Sequence, residues 1–129
     1  MKTRTMSLGA LIAGGLLALG PGISAADGAS ATAKAAQHAG LAAGAGDAAM
    51  VQRHLHHTLN CLVGAGGEGF DEAAGNPCGQ DGGAIPQTAD AAHKEMLEKV
   101  AMQVKAAIGN SDVEAAKKAA TEAQMMLSH

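Results

Sequence analysis

Met50-Val51-Gln52-Arg53-His54-Leu55-His56-His57-Thr58-Leu59-Asn60-Cys61-Leu62-Val63 carries two patterns at once. Val51, Leu55, Leu59, Leu62 and Val63 recur at helical spacing and form a wide apolar face. His54, His57 and Cys61 fall at i, i+3 and i+7, a second stripe that Met50 extends by one turn. At about 100° per residue the two stripes centre well apart around the helix. The apolar face seeks a core, which predicts a packed all-α protein. The other stripe carries imidazole, thiol and thioether, the side chains that transition metals take as ligands.

Working outward, Asp47 suits an N-cap and Gly64 a stop, which sets this helix at 48–63. Before it, Gly44-Ala45-Gly46 reads as a break, and residues 31–44 are rich in alanine, the best helix former. Ser30 or Thr32 would cap that first helix. A short break favours an antiparallel hairpin, with one continuous helix as the alternative. After Gly64 the composition changes. Eight of the residues from 64 to 86 are glycine, two are proline and none is basic, while Glu68, Asp71, Glu72 and Asp81 make the segment acidic. This is a long loop. It lacks the spacing of an EF-hand calcium site.

A third helix is expected over 89–108, capped by Thr88 and stopped by Gly109, with Leu97, Val100, Ala101, Val104 and Ile108 on one face. Ser111-Asp112-Val113-Glu114 has the form of a capping box for a fourth helix over 112–127, whose face is Val113, Ala116, Ala120, Ala123 and Leu127. The fold class is therefore a small all-α bundle, four helices or two packed α-hairpins, with one long Gly-rich acidic loop.

The 129-residue chain opens with two positive charges, Lys2 and Arg4, then an uncharged run over residues 8–19, then Ser24-Ala25-Ala26. That order is a secretory signal peptide, expected over 1–25 and followed by a single helical domain over 26–129. Export places the protein in the periplasm or outside the cell, with no membrane attachment after cleavage. In that setting the two cysteines, Cys61 and Cys78, are expected to pair. The closed loop of about 17 residues would contribute roughly 3 kcal/mol by loop-closure entropy. Cys61 then becomes a clasp on the loop rather than a metal ligand. Loss of Lys2 and Arg4 leaves seven basic residues against twelve acidic ones, a net charge of −5. This argues against nucleic acid and against an anionic membrane surface as partners.

Height along antiparallel helices can be counted, at about 1.5 Å per residue. His38 lies eight residues before Gly46 and His54 eight after, so they are level across the first hairpin. His57 lies six residues before Val63 and His93 five after Thr88, which makes them level too if the loop returns the chain to the same end. His38, His54, His57 and His93 are thus the expected metal ligands, with a disulfide between Cys61 and Cys78 drawing the loop across them. His56 points away and is expected in solvent.

Copper or zinc suits imidazole donors in an exported protein. Non-covalent haem held by paired histidines is the alternative cofactor. No Cys-x-x-Cys-His is present, and aromatics are nearly absent, so covalent haem is excluded and haem has little lining. No nucleophile–base pair is legible, so no enzymatic activity is expected. The function read from sequence is metal storage, delivery or resistance. The alternative is a structural or interaction module, in which the Leu/Val face of the second helix packs a second copy of the chain.

Overall fold

The computed structural model describes residues 25–129; the segment read as a signal peptide lies, but for Ala25, outside them. Four long helices run through the described residues, α1 (Ala25–Gly44), α2 (Ala48–Val63), α4 (Ala91–Ala107) and α5 (Val113–Leu127), with a single turn, α3 (Ala84–Gln87), in the connection. No strand is present among the described residues. None of these helices is long and apolar enough to cross a membrane.

The helix ends follow from local chemistry. Asp47 accepts from the Met50 N–H at 2.9 Å and starts α2. Asp90 starts α4 by accepting from the His93 N–H at 2.7 Å, two residues later than the Thr88 cap expected from sequence. Thr88 instead turns its hydroxyl back to the Ala84 carbonyl at 2.7 Å and closes α3. Likewise Asp112, not Ser111, caps α5 through the Ala115 N–H. A carboxylate accepts such a bond with charge assistance and so outcompetes the neighbouring hydroxyl.

α1 also begins earlier than position 31. Ser30 and Thr32 do not break it, because Thr32 donates to the Gly28 carbonyl one turn back and Ser30 donates to Asp81 in the loop. The break at residues 45–47 is real, so α1 and α2 are two helices.

The four long helices pack in a ring, α1 against α2 and α5, α4 against the same two from the opposite side. α1 and α4 are therefore diagonal, with no close backbone approach between them. Ala31, Ala35, Ala39 and Ala42 line the buried side of α1, and small side chains let its neighbours approach closely. Leu41, the one large apolar group of this helix, faces outward.

Val51, Leu55, Leu59 and Leu62 are buried with Leu97, Val100 and Val104 of α4 and with Ala116, Ala120, Ala123 and Leu127 of α5. At about 1.5–3 kcal/mol per fully buried Leu or Val, these residues hold the bundle together. Of the Leu/Val face expected to pack a second copy, Val51, Leu55, Leu59 and Leu62 are buried within the chain and Val63 is half-buried. Gln52 locks α4 antiparallel to α2, donating to the Ala107 carbonyl and accepting from the Gly109 N–H.

The connection from Gly64 to Asp90 folds back onto the bundle. Gly64 has φ +72°, and a Cβ there would lie 2.8 Å from the Gly83 nitrogen. A Cβ at Gly83 would in turn lie 2.6 Å from the Gly64 nitrogen, so the two ends of the loop cross at glycine because only bare backbone fits. The Cys61–Cys78 disulfide forms as expected, with a Cα–Cα separation of 5.1 Å.

Candidate metal centre

α1 and α2 bring His38 and His54 level, and their Nδ1 atoms lie 3.2 Å apart. His57, one turn further along α2, packs edge-on to both, with ring centroids 4.9 Å from His38 and 5.7 Å from His54. One nitrogen from each of the three rings falls within 4.8 Å of the others. Two nitrogens bound to one ion through bonds of about 2 Å sit roughly 3.3 Å apart in a tetrahedron. The His38–His54 pair already has that spacing, and the His57 nitrogen lies within 4.8 Å of both.

The loop covers this side of α2. Asn60 is fully buried and holds it by three bonds: its amide donates to the Asp71 and Gly75 carbonyls, both at 2.7 Å, and its oxygen accepts from the Asp71 N–H at 2.9 Å. Between these anchors, the Ala74 carbonyl lies 2.7 Å from His57 Nε2. A carbonyl only accepts, so Nε2 carries the proton and Nδ1 carries the lone pair. That Nδ1 is buried and has no hydrogen-bond partner. Outer partners of this kind fix the tautomer and orientation of metal-binding histidines.

Electrostatics keep His38 and His54 neutral. Burial, with the His57 and His54 rings adding to it, pushes the His38 pKa down to about 4. Burial, followed by His57 and the Arg53 guanidinium, lowers that of His54 as well. At neutral pH both rings are uncharged, the form that binds metals.

The remaining sequence candidates fall elsewhere. His93 is exposed in the first turn of α4, beside Thr88, Gln87 and Gly28, and is not among the convergent nitrogens. Counting placed it at a height without placing it on a side. α4 packs on the Leu/Val face of α2 and lies diagonal to α1, so His93 cannot face the cluster between α1 and α2.

Cys61 is one turn beyond His57 but its sulfur is engaged with Cys78. His56, expected in solvent, is partly covered by the loop, its Nδ1 3.5 Å from the Asp71 carboxylate. Sequence reasoning missed the contributions of Asn60 and the Ala74 carbonyl. An asparagine inside an otherwise apolar last turn was the available signal for the first; a backbone carbonyl leaves none.

A concavity between α2, α4 and the loop, roomier than the one beside His93, is lined by Leu59, Val63, Ile85, Met102 and Lys105 and contains no histidine. Comparison with protein-family models, with curated proteins and with solved structures finds no significant match to this chain.

Proposed function

We propose that this chain is an exported metal-binding protein that holds a copper or zinc ion between α1 and α2 through His38, His54 and His57, for storage, delivery or resistance. The observation that carries the reading is the buried Nδ1 of His57, without a hydrogen-bond partner beside the imidazoles of His38 and His54. A purely structural role accounts for His38 and His54, which can hydrogen-bond to each other. It leaves His57 with an unmet buried acceptor, which costs about 1–3 kcal/mol. A metal ion removes that cost.

Haem is a poorer occupant. Two axial imidazoles must stand on opposite sides of the macrocycle, about 4 Å apart at two bonds of about 2 Å. Here His38 and His54 are in hydrogen-bond contact at 3.2 Å, which leaves no room for a porphyrin between them. Export is supported by the disulfide, which belongs to an oxidising compartment, and by the charge and hydropathy order of residues 1–25.

The test is metal titration of protein purified without an affinity tag. Copper or zinc binds one ion per chain, His57→Ala weakens that binding at least about tenfold, and His93→Ala leaves it unchanged. If neither metal binds tighter than about 10 μM, roughly 7 kcal/mol, the reading is wrong.

A further inference from the structure

Resting on the metal-binding reading above, we infer that the triad is built for a monovalent ion, cuprous copper, held by three imidazole nitrogens. The donor set is uncharged. Among the described residues, the convergent ligand atoms are those of His38, His54 and His57 alone, with no carboxylate in the group. Neither cysteine is free to supply a thiolate. An ion in this site therefore keeps its full charge, one unit for Cu(I) and two for Zn(II) or Cu(II). The cost of taking an ion out of water rises as the square of its charge, so a divalent ion costs about four times as much here. The residue next to His54 is Arg53, a further cation.

The outer partner points the same way. The second N–H of a metal-binding histidine goes to a carboxylate, a backbone carbonyl or water, and of these only the carboxylate passes negative charge to the metal. His57 donates instead to the neutral carbonyl of Ala74. Coordination number agrees as well. Zinc held by three protein ligands completes a fourth position with water or substrate. Cu(I) has a filled d shell and is content with three donors, the number that converge between α1 and α2.

The experiment uses the untagged, disulfide-intact protein without oxygen, with Cu(I) buffered by bicinchoninate and kept reduced by ascorbate, which spares Cys61–Cys78. Zn(II) affinity is measured in the same buffer with a zinc indicator. One Cu(I) binds per chain, at least about 100-fold tighter than Zn(II). Copper absorption spectroscopy gives three nitrogen neighbours. His57→Ala loses at least about tenfold in Cu(I) affinity. Because His57 also holds the loop, His54→Ala, which contacts no loop anchor, serves as a second variant and loses a similar factor. A copper preference below about 100-fold, or a four-coordinate copper, overturns the cuprous assignment and leaves the metal-binding reading standing. Failure of both ions to bind overturns both.

Discussion

The two faces of α2 are built on opposite principles. One presents Val51, Leu55, Leu59 and Leu62 to α4 and α5 and is held by apolar burial. The other presents His54, His57, Asn60 and Cys61 to α1 and the loop, and is held by directed contacts: a histidine pair, a disulfide, the three bonds of Asn60 and a carbonyl on an imidazole. The apolar face tolerates any filling of the right volume. The polar face needs each group in its place, because an unpaired buried polar atom costs more than a missed apolar contact gains. One side of the helix thus makes the fold, and the other gathers the candidate metal ligands.

This contrast can be broken from either side. The largest effect belongs to the apolar face. Leu55→Ala, at a fully buried position, lowers unfolding free energy by about 2–5 kcal/mol in denaturant titration while leaving metal affinity of the folded protein unchanged. Loss of metal affinity in a folded Leu55→Ala protein would show that the two faces are coupled.

Next comes the clasp. Cys61→Ser with Cys78→Ser removes a cross-link spanning 17 residues and costs roughly 3 kcal/mol. It also loosens the loop that orients His57, so metal affinity falls with it. A double variant with intact affinity would mean that Asn60 alone positions the loop.

Asn60→Ala leaves partly buried backbone groups of Asp71 and Gly75 without partners, at about 1–3 kcal/mol. It frees the Ala74 carbonyl from its register, so the His57 tautomer, read from imidazole ¹⁵N shifts, becomes mixed. A single tautomer in that variant would show that the Ala74 bond stands without Asn60.

The smallest effect is with pH. In the metal-free protein the His38 pKa lies near 4, below the ordinary value of 6.5. Between those values the unfolded chain binds a proton that the folded one does not, so stability falls as pH drops from 6.5 towards 4. The lowered pKa of His54 acts in the same direction. Melting temperature therefore declines across that window, and His38→Gln flattens the decline. An equal slope in wild type and variant would contradict the burial of a neutral His38.

Much of the fold was legible because it rests on periodicity. The faces of α2, α4 and α5 lie where the spacing of Leu, Val and Ala put them, and the acidic Gly-rich loop is clasped at Cys78. The pairing of His38 with His54 was also legible, since a tight turn converts sequence distance into height. His93 was not, because height says nothing of which neighbour a helix packs against, and α4 chose the Leu/Val side. The start of α1 was misplaced because Ser30 and Thr32 resemble caps, and only tertiary contact with Asp81 shows that Ser30 serves the loop instead. The Ala74 carbonyl is backbone and leaves no mark in sequence.

The central claim is that His38, His54 and His57 act on one ion. It is tested most directly by following all imidazole nitrogens by NMR while one equivalent of diamagnetic Cu(I) is added to ¹⁵N-labelled protein. The nitrogens of His38, His54 and His57 shift together and saturate at one equivalent, with His57 responding at Nδ1, while His56, His93 and His129 stay where they were. Movement of fewer than three of these rings, or a response centred on His93 or His56, would contradict it.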